Sequence, residues 1–197
     1  MVNLIYWTCK LAVHILTFIL PVEFINRLFY FMPGRLVVDV LKWYGAEIGE
    51  NVKIMPPFLL HNWQDDSPRP CQNLFIGSNT TIGRSAFFDL RGKIRIENNC
   101  TIAMDVMILT HTNVGNIPIQ EDIPEKIGNV AIHGGVYIGA GTLLIASVDI
   151  GKNSAIGAGS VVIRDVPPNS LYAGIPAKKI RGLSAKAGFL PGMKNEI

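Results

Sequence analysis

Imidazole changes charge close to neutral pH, so histidine is the side chain best suited to take a proton from a hydroxyl as that oxygen attacks. The chain has four: His14, His61, His111 and His133. His14 lies in an apolar N-terminal stretch, His61 in a polar insertion, and His133 at a repeated position. His111, within Ile108-Leu-Thr-His-Thr-Asn113, alone stands just before a long insertion. Three cysteines, Cys9, Cys71 and Cys100, are an odd number without CxxC or CxxH spacing. They read as reduced structural thiols of a cytosolic protein, not as zinc ligands.

The elements that position these residues show in a six-residue period. Ile132, Ile138, Leu144, Ile150, Ile156 and Val162 fall six apart, each followed four residues later by a small or β-branched side chain: Val136, Thr142, Val148, Ser154, Ser160 and Val166. Upstream the same register appears at Ile48 with Val52, Ile76 with Thr80, Ile82 with Ala86, Ile96 with Cys100, and Ile102 with Val106. An α-helix would repeat at 3.6 and a simple strand at 2. A period of six fits a coil of three short strands per turn, each stacked in parallel on the next at ~4.8 Å. The aliphatic fills the interior, and the glycines that follow several of them (Gly77, Gly83, Gly139, Gly151, Gly157) are read as tolerating the corner's backbone angles. The fold class expected is all-β, a parallel β-helix of hexapeptide repeats. It occupies residues 46–167, with insertions near 60–73 and 112–131 and a C-terminal tail over 168–197.

Residues 1–45 differ in kind. The mean hydropathy of +0.30 is concentrated there. Asn3, Lys10, His14 and Thr17, with Trp7 in the gap, place one narrow polar stripe on an apolar helix that Pro21 ends. Two further short helical patterns follow, over 22–32 and 35–44, parted by Pro33-Gly34. Wide apolar faces rich in aromatics suit a membrane interface better than a bilayer crossing, with packing on the β-helix or an oligomer partner as the alternative. No basic n-region precedes the apolar run, which argues against a cleaved signal peptide. The net charge of +3, without a dense Lys/Arg run, gives no nucleic-acid footprint.

Over residues 46–182 the chain resembles the hexapeptide-repeat acyltransferases, in particular the maltose/galactoside O-acetyltransferase branch and the sugar acetyltransferases of polysaccharide pathways. The segment 108–113 carries the resemblance, as does the closing run Gly157-Ala-Gly-Ser-Val-Val-Ile-Arg-Asp-Val-Pro-Pro-Asn-Ser-Leu-Tyr-Ala-Gly-Ile-Pro-Ala-Lys-Lys-Ile-Arg181. It implies a left-handed coil, a homotrimer, acetyl-CoA as co-substrate without a metal, and His111 as catalytic base. The loop after His111 would fold over a neighbouring subunit's site. Coenzyme contacts are implied at Ala140, Ala158, Ile163, Arg164, Lys178 and Arg181. Ile163-Arg164 stands where the family commonly has Thr-Lys, and Tyr137 where it tends to have Trp. The cations Arg164, Lys178, Lys179 and Arg181 suit the phosphates of CoA, or else form a solubilising face.

Asp89 stands about where the family has a polar residue facing the acceptor sugar. It is read as an acceptor contact, with orientation of His111 and a plain surface carboxylate as alternatives. The acceptor expected is a sugar or lipid-linked glycan, met by a cytoplasmic protein held peripherally on the inner face of the membrane. Serine or xenobiotic acetylation and a non-catalytic scaffold are the other readings. A zinc enzyme of the γ-carbonic anhydrase type would need a third histidine beside His111 and His133.

Overall fold

A repeat that buries one aliphatic every six residues forms two- to four-residue strands separated by tight corners, and such strands gain stability only by stacking. The computed structural model describes residues 8, 11, 12, 22–62 and 69–184. Three sheets run through the repeat domain, and each coil adds one strand to each. The first face is built of Glu47–Ile48, Leu74–Ile76, Ile94–Ile96, Val130–Ile132 and Asp149–Ile150. The second contains Lys53–Ile54, Thr81–Ile82, Thr101–Ile102, Tyr137–Ile138 and Ala155–Ile156. The third contains Phe58–His61, Ala86–Asp89, Met107–Ile108, Leu143–Leu144 and Val161–Val162.

The pairing is parallel and aliphatic on aliphatic. Ile76 pairs with Ile96, Ile82 with Ile102, and Leu144 with both Ile108 and Val162. These side chains are buried, as are Val136, Thr142, Val148, Ser154, Ser160 and Val166 four residues after the hexad aliphatics. Burying one such aliphatic is worth roughly 1.5–3 kcal/mol, so the interior column holds the coils together.

The corner glycines need correcting. Left-handed backbone occurs three residues after each aliphatic, at Asn79, Ser85, Asn99, Asp105, Gly135, Gly141, Ser147, Asn153 and Gly159, and not at the glycine directly following it. Those following glycines are needed for close approach. A Cβ on Gly83 would stand 2.5 Å from the backbone of Ala103 and Met104, and one on Gly139 2.5 Å from the Ala158 nitrogen.

Two helices cover the first coil. Helix α1 (Val22–Leu28) turns its Asn26 side chain onto the third face, donating to the Leu60 carbonyl at 2.7 Å and accepting from the Leu60 N–H at 3.1 Å. Phe29, just beyond it, is buried against Phe58, which meets Phe88 edge to face at 5.2 Å. Helix α2 (Gly34–Trp43) buries Leu36, Val37, Val40 and Leu41. At the other end, strand pairing runs past residue 167: Ser170–Ala173 adds to the second face, and Lys178–Gly182 folds back antiparallel over its edge. The helix and polar stripe read before Pro21, including Cys9 and His14, lie outside the described residues apart from Thr8, Leu11 and Ala12, which are helical. No helix among the described residues is long and apolar enough to cross a membrane.

Both insertions leave from the third face. The first follows His61. The second is an arm rooted at His111–Thr112, which pairs antiparallel with Lys126–Ile127 and carries a 3-10 turn at Pro118–Glu121.

Candidate active site

The third face ends at a corner where three successive coils bring polar side chains together. Phe58–His61 stacks in register on Ala86–Asp89, placing His61 beside Asp89. Phe88 pairs with Ile108, so the chain after Ile108 lies along Asp89. Leu109 and Thr110 continue that line, and His111 begins the arm.

Asp89 is wholly buried, with a side-chain exposure of 0%. Its Oδ2 lies 2.6 Å from His111 Nδ1 and accepts from the Thr110 N–H at 2.8 Å. The Thr110 hydroxyl is 2.9 Å from the same oxygen. Oδ1 accepts from Asn62 Nδ2 at 2.9 Å and from the Arg91 N–H at 3.3 Å. Burial pushes the Asp89 carboxyl up, but the hydrogen bonds from His111, Asn62 and Thr110 outweigh it and hold the group at about 2. A carboxylate ionised at neutral pH can only accept, so His111 Nδ1 carries the proton and the lone pair resides on Nε2. The His111 side chain keeps 23% of its surface exposed, enough for a partner to reach that nitrogen.

Asn62 stands 3.4 and 3.5 Å from the two ring nitrogens of His111. Near-equal distances place its amide over the ring, not along either lone pair. Its backbone is left-handed at φ 52°, a conformation asparagine tolerates better than most residues. The His61 ring centre is 6.3 Å from that of His111. Neither Asn62 nor Thr110 was singled out in the sequence. The clue was a constant offset: Ile48 pairs with Ile76 and His61 with Asp89, both 28 residues apart, so Asn62 had to fall beside the coil that ends in Asp89.

The geometry corrects the expected role of Asp89. With no exposed surface and both oxygens committed within the protein, it has nothing to offer an acceptor and fits the orienting alternative. His133 belongs to another cluster, on the first face. Its Nδ1 lies 3.3 Å from Glu97 and its Nε2 3.1 Å from Asp149, and the Asp149 hydrogen bond raises its pKa. Among the described residues no group of three or more His, Cys, Asp or Glu is placed to hold a metal.

The residues expected to meet the coenzyme fall into three places. Ala140 and Ala158 stack at the corner between the second and third faces, where the Gly159 N–H donates to the Ala140 carbonyl at 2.8 Å. Ile163 and Arg164 follow Val161–Val162 on the third face, exposed on the same edge as His111. Lys178 and Arg181 are exposed on the last strand of the second face. A single chain does not gather all six around His111.

No family model matches the chain. It is 39% identical over 114 residues to a Saccharomyces cerevisiae protein described as a candidate acetyltransferase, covering 58% of either chain. It is 30% identical over 153 residues to the galactoside O-acetyltransferase of Escherichia coli, covering 74% of this chain and 68% of the relative. The chain thus spans between 58% and 68% of the length of these two relatives. A solved galactoside acetyltransferase in complex with coenzyme A superposes with a TM-score of 0.71 at 24% identity, over 89% of this chain and 86% of the other, and shares the stacked-coil fold. Hexad register, stacked coils and this sequence identity agree, and the chain belongs to the hexapeptide-repeat acetyltransferases that include the galactoside O-acetyltransferases.

Proposed function

We propose that the protein transfers an acetyl group from acetyl-CoA to a hydroxyl of a sugar, with His111 as base. The observation that carries this reading is the buried, ionised Asp89 bound to His111 Nδ1, which leaves Nε2 unprotonated on an exposed edge. In the reaction Nε2 takes the hydroxyl proton as the oxygen attacks the thioester carbon. The tetrahedral intermediate then breaks its C–S bond, and the imidazolium returns the proton to the departing thiolate. Asp89 stabilises the imidazolium between the two transfers, and Asn62 and Thr110 hold Asp89 in place.

The coil's left-handed sense, a homotrimer, and coenzyme contacts at Ala140, Ala158, Ile163, Arg164, Lys178 and Arg181 belong to the same reading. Their scatter over one chain is what a groove between two coils would require, one subunit supplying the histidine and another part of the coenzyme site. Guanidinium at Arg164 and Arg181 and ammonium at Lys178 suit phosphate oxygens. The acceptor is a sugar or lipid-linked glycan of polysaccharide assembly, reached from the inner face of the membrane, a setting supported by the aromatic-rich residues 1–45.

The test needs no knowledge of the acceptor at first. Acetyl-CoA binding is measured by calorimetry for the wild type, Arg164→Ala and His111→Ala, followed by thiol release with a panel of sugars and alkyl glycosides. His111→Ala should retain coenzyme affinity and lose on the order of 10²–10⁴ in kcat. Arg164→Ala should weaken binding. Unchanged turnover in His111→Ala would remove the histidine from the mechanism, and no coenzyme binding by folded wild type would leave a scaffold.

A further inference from the structure

Helix α1 has two unlike sides. Asn26 and Phe29 face the coil. Phe24, Arg27, Tyr30 and Phe31 face outward, and Phe31 keeps 89% of its surface exposed. Aromatic rings beside a cation are the side chains that settle at the boundary between lipid headgroups and acyl chains. The preceding residues 2–20 contain one charged side chain, Lys10, and so prolong an apolar sequence that leads straight into α1. Across residues 1–45 four cations (Lys10, Arg27, Arg35, Lys42) stand against two carboxylates (Glu23, Asp39), an excess that suits an anionic surface.

The inner side of α1 ties this surface to the active site. Asn26 holds both the N–H and the carbonyl of Leu60. The next two residues on that strand are His61, in register with Asp89, and Asn62, which donates to Asp89 and lies over the His111 ring. From Phe58–His61 to Met107–Ile108 is two strand steps, about 10 Å at the usual spacing.

We infer that Phe24, Tyr30 and Phe31 form a docking surface for an anionic lipid bilayer, and that the Asn26–Leu60 clamp fixes His111 at a set, short height above it. The docking stands on its own. Its consequence for the substrate rests on the transferase reading: the acceptor is an amphiphile whose sugar projects from the bilayer.

Co-sedimentation of the full chain with phosphatidylcholine vesicles, with and without phosphatidylglycerol, tests this, with acetyl-CoA binding measured on the same preparations. The wild type should sediment with the anionic vesicles and be released by salt. The double variant Tyr30→Ser/Phe31→Ser should lose at least tenfold in vesicle affinity while binding acetyl-CoA as before. Wild type that stays in the supernatant, or a variant that sediments equally well, overturns the docking surface. So does a variant whose main change is a smaller assembly, since that would show a second copy covering these rings. Absence of acetyl-CoA binding in both proteins, with vesicle binding intact, would sink the transferase reading and leave the docking in place.

Discussion

Asp89 shows how one buried charge links stability to catalysis. An unfolded aspartate titrates near ~3.9, whereas in the folded protein the group sits at about 2. A depressed carboxyl stabilises the fold above the unfolded value, and that contribution disappears as pH falls from about 4 through about 2, amounting to some 2–3 kcal/mol. Urea unfolding of wild type and Asp89→Asn at pH 5 and pH 2.5 should show it, with wild type losing more stability than the variant between the two conditions. Equal losses would mean that Asp89 is not held ionised by His111, Asn62 and Thr110. The residue's type and rough position were legible in the sequence. Its role was not, because nothing in the local pattern said that a carboxylate after Phe87-Phe88 would point inward.

At the level of coils and strands, the steric demand on the following glycines carries a clear expectation. Gly83→Ala forces a Cβ to within 2.5 Å of the Ala103–Met104 backbone, which neither coil can yield without breaking the Ile82–Ile102 pairing. Thermal melting should fall by an amount corresponding to ~2–4 kcal/mol, as for a strongly overpacked interior. An alanine tolerated within ~0.5 kcal/mol would contradict this packing. The hexads from Ile132 to Val162 made the stacked coil readable, since a period of six admits no other regular element. What the period could not convey was where left-handed backbone falls, because asparagine, aspartate, serine and glycine share that position and only glycine is an obvious marker. The catalytic corner was hidden for a related reason. Its members come from coils separated by insertions of unequal length, and Asn62 stands at the start of one of them.

For the whole molecule, the arm is the part least at ease in a lone chain. Ile117, Ile119, Ile123 and Ile127 each keep 41% to 52% of their surface exposed, an unusual row of aliphatics on a projecting loop. A neighbouring coil that received them would bury these side chains and bring a second surface to His111, at the arm's root. Ile119→Ser/Ile123→Ser should therefore weaken self-association by tens of fold in sedimentation velocity, with circular dichroism unchanged. A variant that keeps the wild-type mass would assign the arm to something other than assembly.

The stacked coil also shapes how the chain can find its fold. On the first face, partners lie 28, 20, 36, 18 and 16 residues apart, so every coil is completed by chain from its immediate vicinity. The longest of these closures spans the arm, and doubling a loop from 18 to 36 residues adds only about 0.6 kcal/mol of closure entropy. Growth can thus begin at any well-formed pair of turns and spread outward like a closing zipper, crossing the arm with little delay. It ends only where α1 and α2 at one end and the Ser170–Gly182 hairpin at the other leave no free template on which a further turn could form.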